Sequence, residues 1–224
     1  MGKLVLVPTP VGNLEDITYR AVRVLHEADL ILAEDTRKTG ILLSHYGIEA
    51  GKVKSHHKFN EHKTLGKTVS SIKHNMLTVL VSEAGTPGIS DPGFLLTREC
   101  IKEELEVESL PGPTAFIPAL VMSGLPCERF VFEGFLPHKK GRTKRLKELV
   151  NEERTMVFYE SPFRLVKTLS QFAEYYGNER NAAVARELTK IYEEVRRGSL
   201  QELIEVFENQ SPKGEFVIVL EGNK

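Results

Sequence analysis

Short apolar runs alternate with amphipathic stretches along the whole sequence, and this alternation limits the possible folds more than any other feature. Several runs are apolar at consecutive positions, which is typical of strands buried on both faces of a sheet. We predict strands at residues 3–8, 29–34, 76–82, 130–135, 155–159, 182–187 and 215–220, with a weaker one at 105–109. The stretches between them carry apolar residues on one helical stripe, which predicts helices at residues 16–28, 63–74, 91–103, 142–152, 162–175 and 199–208. The pattern indicates an α/β protein with largely parallel sheets.

The best candidate for a domain boundary is the segment Pro111-Gly112-Pro113. Two prolines around a glycine cannot continue a strand or a helix. The segment divides the 224 residues into halves of similar size, each with its own strands. We therefore predict an N-terminal α/β domain at residues 1–112 and a C-terminal α/β domain at residues 113–224.

Composition argues against several classes of protein. The net charge is −1, so no global basic field is available to hold nucleic acid. No apolar run reaches the roughly 18 residues that span a bilayer, and the first residues lack the features of a signal peptide. Cys100 and Cys127 have no paired spacing, which favours reduced thiols in a cytoplasmic protein. His56, His57 and His62 lack a carboxylate or cysteine ligand at a recognisable spacing, so we expect a polar surface turn and no metal.

Polar or glycine-rich segments follow six predicted strands, at residues 7–18, 33–38, 82–93, 110–115, 158–164 and 185–192. Carboxyl ends of parallel strands meet at one sheet edge, where ligands bind, so together the segments predict a cleft between two sheets. Segment 82–93 (SEAGTPGISDPG) has three glycines and two prolines, which let the main chain approach a ligand closely. A merely structural connection rarely needs so long a constrained loop. Within it, Asp91 before Pro92 fits a helix N-cap.

Two charged segments each allow two interpretations. Glu34 and Asp35 follow a buried strand beside Arg37, and neighbouring carboxylates can tune each other toward general-base use. The alternative is a surface N-cap with an exposed ion pair. Residues 138–147 hold six Lys or Arg and no acid, which suits phosphate binding, although charge alone favours a solvated helix face.

Read in order, the motifs resemble those of the bacterial ribosomal RNA small-subunit methyltransferases that modify a cytidine at the ribose 2′-oxygen. The matching segments are residues 8–14, 34–37, 82–93, 111–113, 123–126, 134–137, 159–162, 186–190 and 214–215. That family is similar in fold to the tetrapyrrole methylases. The resemblance implies a two-domain tetrapyrrole-methylase-like fold, each domain a mostly parallel sheet flanked by helices. It also implies S-adenosylmethionine in the cleft between the domains, and a homodimer.

The resemblance also implies a set of cofactor-binding residues. The loop expected to wrap the methionine part of the cofactor contributes Ala84, Gly85, Thr86 and Ile89, with Pro10 added from the first strand-end segment. A second contacting pair is Thr114 and Ala115, and the adenosine is approached by Tyr159, Glu160, Glu187 and Leu188. Thr86 stands where tetrapyrrole methylases have an aspartate, which favours the RNA branch over the porphyrin and corrin branch.

For catalysis, the ribose hydroxyl must lose its proton, and we expect Glu34 or Asp35 to accept it, with Glu187 next. The expected RNA contacts are Arg37, Arg186 and Lys190 at flanking phosphates and Lys139, Lys140 and Arg142 further out. The expected substrate is small-subunit ribosomal RNA or an assembled 30S-type subunit, in the cytoplasm and away from membranes. Two alternatives are a methyltransferase acting on a tetrapyrrole or other small molecule and a non-catalytic protein that binds cofactor or RNA.

Overall fold

A computed structural model of the chain describes residues 2–49 and 53–223. The chain divides into two compact units, Met1–Thr114 and Ala115–Lys224. The division falls two residues after the predicted boundary, so Pro113 and Thr114 belong to the first unit. Within the part of the chain that the structure describes, no helix is both long and apolar enough to cross a bilayer.

The first unit is a five-stranded sheet in which every pairing is parallel, with strand order β3-β2-β4-β1-β5. Its strands are β1 Lys3–Leu6, β2 Leu30–Ala33, β3 Val53–Ser55, β4 Leu77–Val81 and β5 Glu106–Ser109. Its helices are α1 Tyr19–Glu27, α2 Thr36–His45, α3 Glu61–His74 and α4 Phe94–Lys102, with a 3₁₀ turn at Leu14–Asp16. All strands predicted in this half are present, whereas α2 and the three-residue edge strand β3 were not predicted.

Both faces of this sheet are covered, as the continuous apolar strands indicate. Val5, Ile31 and Val79 point to one face and pack with side chains of α1 and α2. Leu4 and Leu80 point to the opposite face and pack with α3 and α4. The period of two along each strand therefore supplies both apolar layers.

The second unit is a five-stranded sheet with strand order β6-β7-β10-β8-β9. Its strands are β6 Phe130–Phe135, β7 Thr155–Glu160, β8 Asn181–Arg186, β9 Glu194–Ser199 and β10 Phe216–Leu220. Its helices are α5 Phe116–Ser123, α6 Arg142–Glu148, α7 Leu165–Tyr176 and α8 Leu200–Glu208. Helix α5 packs on one face of the sheet, and α6, α7 and α8 pack on the other. The two-unit α/β architecture is thus confirmed.

The second sheet differs in strand direction from the mostly parallel sheet that the sequence predicts. Among the described strands of this sheet, β6 and β7 pair in parallel, and the pairings β7–β10, β10–β8 and β8–β9 are antiparallel. Each helix connection still joins strands that run the same way. The reversal arises at residues 187–193, a link too short for a parallel crossover, so β9 returns as a hairpin partner of β8. Strand β9 was not predicted because its sequence, EVRRGS, is almost entirely polar.

Two helices begin three residues later than predicted, at Tyr19 and at Phe94. Asp16 ends the 3₁₀ turn, and α1 is capped by Thr18, whose hydroxyl accepts the N–H of Ala21 at 3.0 Å. Helix α4 begins at Phe94 after Gly93, so Asp91 is not its N-cap.

Candidate functional site

The loops that leave the carboxyl ends of β1, β4 and β5 are joined at one edge of the first sheet. Thr9 and Gly85 form a two-way bridge: the Thr9 N–H donates to Gly85 O at 2.9 Å, and the Gly85 N–H donates to Thr9 O at 2.8 Å. The buried Pro10 follows in the β1 loop. A Cβ atom on Gly112 of the β5 loop would lie only 2.7 Å from Pro8 Cβ, so this position requires glycine.

Two threonine hydroxyls connect the β4 loop to the β5 loop. Thr86 Oγ1 donates to Pro113 O at 2.9 Å and lies 2.6 Å from Thr114 Oγ1. The structure therefore brings together four of the predicted cofactor-binding residues: Pro10, Gly85, Thr86 and Thr114. The predicted Ala84 is half-buried beside them, and Ile89 is 38% exposed further along the same loop.

Residues 82–93 have an unusual backbone. Gly85, Gly88 and Gly93 have φ angles of +79°, +85° and +135°, and Ser90 has a φ of +63° although it carries a side chain. The Gly88 N–H donates to Pro92 O at 3.1 Å and closes a tight turn. Non-glycine residues seldom adopt this left-handed region, and such backbones concentrate at functional sites.

The beginning of α4 is held by Glu61, a residue from α3. Glu61 Oε1 accepts the N–H groups of Gly93 at 3.2 Å and Leu96 at 3.4 Å, which replaces the N-cap that the helix itself lacks. His56 Nε2 lies 3.6 Å from the same oxygen. His56 is buried, which contradicts the expected polar surface turn, and burial lowers its pKa despite the opposing charge of Glu61. The tertiary approach of Glu61 to α4 has no signature in the sequence.

The two adjacent acids after β2 have different environments. Asp35 is the N-cap of α2, with Oδ1 accepting the N–H of Arg37 at 2.8 Å and that of Lys38 at 3.4 Å. Its side chain also pairs with the Arg37 guanidinium, which lowers the pKa of Asp35 to about 2. Glu34 is half-buried, and burial raises its pKa even though its carboxylate accepts the Glu83 N–H. Of these two acids, Glu34 therefore has the raised proton affinity expected of a general base, and Asp35 does not.

A further carboxyl, Asp91, lies at this edge and was not among the predicted site residues. It is partly buried and contacts the Ser82 hydroxyl. Burial first, and then the charges of Glu34 and Glu83, raise the pKa of Asp91 to about 7, while the Ser82 hydrogen bond opposes the shift. A cavity of about 150 Å³ opens beside these residues and is lined by Thr9, Pro10, Gly12, Leu14, Lys38, Thr39, Ile41, Leu42, Ser82 and Glu83.

In the second unit, the predicted residues after β7 and β8 share one sheet edge. Phe216, the first residue of β10, pairs with Glu160 on one side and with Arg186 on the other. Tyr159 is half-buried, with its ring 5.1 Å from Phe132 and 5.5 Å from Phe135. The sheet thus brings the ends of β7 and β8 together.

Glu160 and Arg142 belong to a buried network and are not surface groups. Glu160 Oε2 accepts from Thr168 Oγ1 at 2.6 Å, and Arg164 pairs with Glu160 Oε1 at 2.8 Å. Arg142 donates to Thr168 Oγ1 at 2.7 Å and to Gln171 at 2.8 Å, and it is only 6% exposed. The expectation that Arg142 contacts RNA from an exposed patch is therefore wrong, because the side chain is folded inward.

The remaining predicted residues of the second unit are held by local contacts. Glu187 Oε1 accepts from Lys190 Nζ and from the Glu215 N–H, both at 2.9 Å. Burial would raise the pKa of Glu187, but these two hydrogen bonds and the charges of Lys190 and Arg186 together lower it. Arg186 Nε donates to Lys213 O at 2.8 Å. Leu188 is a core residue packed with side chains of α5, and Ala115 is the residue before that helix, partly buried against the same core.

Lys139 and Lys140 are exposed, as predicted, before α6. Arg145 of the same stretch is bound by Glu133 through two hydrogen bonds, at 2.6 and 2.8 Å. A cavity of about 410 Å³ lies beside it, lined by Glu133, Phe135, Leu136, Pro137, Gly141, Lys144, Arg145 and Glu148. The Phe135 ring is half exposed there, in the same cavity as Lys144, which pairs with Glu148 at 3.8 Å.

Comparison with known proteins places these features in context. The profile of the tetrapyrrole (corrin/porphyrin) methylases matches residues 3–204. A Thermotoga maritima protein named ribosomal RNA small subunit methyltransferase I is 46% identical over 224 residues, covering 100% of both chains. A protein of the same name from Escherichia coli O157:H7 is 46% identical over 226 residues, covering 100% of this chain and 79% of that one.

Solved structures show the same fold at low sequence identity. Diphthine synthase superposes with a TM-score of 0.75 at 13% identity, covering 98% of this chain and 90% of that one. Uroporphyrin-III C-methyltransferase from Thermus thermophilus, complexed with S-adenosylhomocysteine, superposes with a TM-score of 0.67 at 19% identity, covering 97% of each chain. At these identities the likeness shows the fold alone.

Proposed function

This chain belongs to the tetrapyrrole methylase family and, within it, to the ribosomal RNA small subunit methyltransferases; from that premise we propose that it methylates a cytidine ribose at its 2′-oxygen. The methyl donor that we propose is S-adenosylmethionine. The observation that carries the proposal is the 46% identity to the Thermotoga maritima protein over the full length of both chains. The joined loops at the edge of the first sheet supply a matching site.

The residues at that edge fit the proposed cofactor. Residues 84–89 carry no charged side chain, and Gly85 and Gly88 have no Cβ atom, so a ligand can approach the main chain of this loop closely. Glu34, Glu83 and Asp91 border the loop, and their carboxylates complement a positive sulfonium. When bound, S-adenosylmethionine supplies an electrophilic methyl group. We propose that Pro10, Ala84, Gly85, Thr86, Ile89 and Thr114 hold its methionine part.

In the second unit, we propose that Tyr159, Ala115 and the main chain at residues 187–188 contact the adenosine. Leu188 is a core residue, so its side chain supports the loop while its N–H or carbonyl makes the contact. Glu160 is buried in its network, so its part in binding is to fix the backbone at the end of β7.

The chain's catalytic contribution is to orient the ribose and to accept its proton. Alignment of the two reacting groups accounts for most of the rate in a reaction whose electrophile is already activated. The acceptor that we propose is a carboxylate at the edge of the first sheet, where Glu34 has a raised pKa. Asp35 and Glu187 have lowered pKa values and stable partners, so they suit helix capping and loop fixation better than proton transfer.

We propose that the RNA is held by lysines of the second unit. Lys139 and Lys140 are exposed, and phosphate contacts by such residues give sequence-independent affinity. The exposed Phe135 ring, which lines the cavity beside Arg145, offers a stacking surface for a base. Three further basic residues remain candidates for binding phosphates near the target nucleotide: Arg37, Arg186 and Lys190. RNA would have to compete there with the acidic residues that pair with them, which are Asp35, Glu194 and Glu187 respectively. The setting that we propose is a homodimer acting in the cytoplasm.

Transfer of tritium from methyl-labelled cofactor tests the proposal directly. The purified chain is incubated with unmodified small-subunit RNA, with isolated small subunits and with a porphyrin precursor in parallel. Label in a cytidine nucleoside that resists alkaline cleavage of its 3′ bond supports ribose methylation, because a 2′-methoxy group blocks that cleavage. Label in the porphyrin alone, or in a base instead of a ribose, would contradict the proposal.

A further inference from the structure

We infer that the cavity between α2 and the loops after β1 and β4 receives the cytosine of the target nucleotide, and that Lys38 and Glu83 in its lining distinguish cytosine from uracil. This inference deepens the proposed function and rests on it. It names the residues that select the base, whereas the proposed function concerns the ribose of the same nucleotide.

The size of the cavity suits a single six-membered ring. Its volume is about 150 Å³. An engineered cavity of about this volume in an unrelated protein holds one benzene molecule. A pyrimidine ring has the size of benzene, whereas a purine adds a second fused ring. The cavity therefore favours a pyrimidine base, with the sugar left outside.

The lining combines apolar and polar side chains, as ligand sites usually do. Leu14 and Ile41 are exposed apolar residues on which the face of a base can pack. Thr39 and Ser82 line the same cavity as buried polar residues, 4% and 3% exposed. The Tyr46 hydroxyl donates to the Leu14 carbonyl and so ties the loop after β1 to the end of α2. Walls that are fixed in this way lose little freedom when a ligand binds.

Lys38 and Glu83 place opposite charges side by side in this lining. Lys38 Nζ donates to Glu83 Oε2 at 2.5 Å, and the two side chains are 60% and 42% exposed. An ammonium group has three donors, and a carboxylate has about four acceptor positions. The contact between them therefore does not exhaust either group. The ion pair holds a hydrogen-bond donor next to an acceptor at the cavity.

This arrangement matches the edge of cytosine and not that of uracil. Cytosine has an amino donor at position 4 beside acceptors at N3 and O2, whereas uracil has an acceptor at position 4 beside a donor at N3. Glu83 accepts from the cytosine amino group, a contact that carboxylates make with this base, and Lys38 donates to N3 or O2. Uracil in the same orientation sets its O4 against the carboxylate and its N3–H against the ammonium, so both contacts become repulsive.

The cavity lies next to the proposed site of the methyl donor. Thr9 lines the cavity and also forms the two-way bridge with Gly85 of the proposed cofactor loop. The parallel pairing of β2 with β4 brings the residues after these strands, Glu34 and Ser82, to the same edge. A base that is taken out of the RNA stack into this cavity therefore has its ribose near the cofactor loop and near Glu34, the proposed proton acceptor.

Methylation rates of two RNAs test the assignment. The RNAs differ only at the methylated cytidine, located by the position of the alkali-resistant bond, which is a uridine in the second RNA. In the parent enzyme, single-turnover rates at subsaturating RNA should favour cytidine by roughly 10- to 100-fold. Glu83→Gln should bring this ratio close to 1, because an amide can donate to uracil O4 as well as accept from cytosine. Lys38→Met should lower the ratio by slowing the reaction of the cytidine RNA.

The ratio is a readout that a merely structural role does not change. Both RNAs are compared on the same protein, so a loss of stability or of cofactor affinity affects both rates equally. Lys73 and Glu103 provide the matched control, because they form an exposed ion pair between α3 and α4 at 2.6 Å, outside the cavity lining. Lys73→Met and Glu103→Gln should leave the ratio at the value of the parent enzyme.

A second measurement needs neither RNA nor turnover. Methyl NMR follows the Ile41 signal, identified by its absence in Ile41→Leu, while the protein saturated with S-adenosylhomocysteine is titrated with free cytidine or free uridine. Cytidine should shift this signal, because the ring of a base packs on the Ile41 side chain, and uridine should shift it less at the same concentration. Glu83→Gln should remove the difference between the two nucleosides.

The inference is overturned if the parent enzyme methylates both RNAs at the same rate, or if either cavity variant keeps the ratio of the parent. It is also overturned if the Ile41 signal responds equally to the two nucleosides or to neither. A parent enzyme that methylates no RNA would instead count against the proposed function, and the NMR titration would still decide whether the cavity selects cytosine.

Discussion

The hydroxyl groups of Thr86 and Thr114 lie 2.6 Å apart, and Thr86 also donates to the carbonyl of Pro113 at 2.9 Å. These contacts join the loop after β4 to the loop after β5, although the two threonines are 28 positions apart in the sequence. The loop that we propose to hold the methionine part of the cofactor is thus fixed from a second strand end.

Thr86→Val should loosen this connection. The substitution keeps the shape of the side chain but leaves Pro113 O and the Thr114 hydroxyl without their partner, which costs about 1 kcal/mol in a partly buried setting. Affinity for S-adenosylmethionine should fall with it, because the loop then has more conformations to lose on binding. Denaturant unfolding and calorimetry measure the two effects.

Thr78→Val is the matched control for that experiment. Within the described residues, the Thr78 hydroxyl is buried and makes no hydrogen bond. Its replacement by a methyl group should leave the free energy of unfolding unchanged or slightly higher, because an unsatisfied polar group is removed. If both variants lose the same stability, the Thr86 contacts contribute nothing specific.

Gly112→Ala should distort the same edge by a different route. A Cβ atom there would lie 2.7 Å from Pro8 Cβ and 3.0 Å from Pro8 Cγ, in a pyrrolidine ring that cannot rotate away. The β1 and β5 loops must therefore separate, so we expect a lower unfolding temperature and weaker cofactor binding. Gly66→Ala, inside α3 with no atom near the added methyl, should instead stabilise the protein by about 1 kcal/mol. Differential scanning calorimetry of both variants checks the opposite signs.

The strands and helices that the sequence predicts correctly are those whose apolar residues follow a local period. The buried strands β1, β2 and β4 are apolar at consecutive positions, and the helices that follow most strands carry one apolar stripe. Strand β9 escaped prediction because its residues are polar, and its hairpin is what turns part of the second sheet antiparallel. Strand β3 has only three residues, too few to show any period.

The candidate site was predictable only in part, for a physical reason. Glycine and proline affect the backbone through their own covalent structure. A constrained loop at residues 82–93 is therefore predictable from the sequence alone. The role of each acid depends on contacts that only the tertiary structure creates: Glu61, for example, caps a helix 32 positions away. The burial of Arg142 depends likewise on Thr168 and Gln171, which the local sequence of α6 does not specify.

Lys139 and Arg142 should respond to glutamine substitution in different ways. Replacing Lys139 and Lys140 together should weaken RNA binding and flatten its salt dependence, with stability and cofactor affinity unchanged. Arg142→Gln should instead destabilise the second unit by about 3 kcal/mol, because it breaks a buried charged network around Glu160 and Thr168. RNA binding as a function of salt concentration, together with urea unfolding, distinguishes the two behaviours. We assign the two lysines to RNA binding and Arg142 to stability. This assignment would be contradicted if the double lysine variant were destabilised, or if Arg142→Gln had normal stability and weakened RNA binding.

Asp91→Asn should make the protein more stable than the parent at alkaline pH. The pKa of Asp91 is raised in the folded protein, to about 7, so its favourable contribution to folding is complete below the pKa of an unfolded aspartate, about 4. That contribution is lost as the pH rises through 7, because the folded protein must then hold a buried negative charge beside Glu34 and Glu83. Asparagine cannot ionise, so the variant avoids this loss.

We therefore expect the difference in unfolding temperature, variant minus parent, to increase between pH 5 and pH 8. All other titrating groups are shared by both proteins. Thermal unfolding at the two pH values measures the difference, and an equal gap at both would mean that Asp91 ionises as an ordinary surface aspartate.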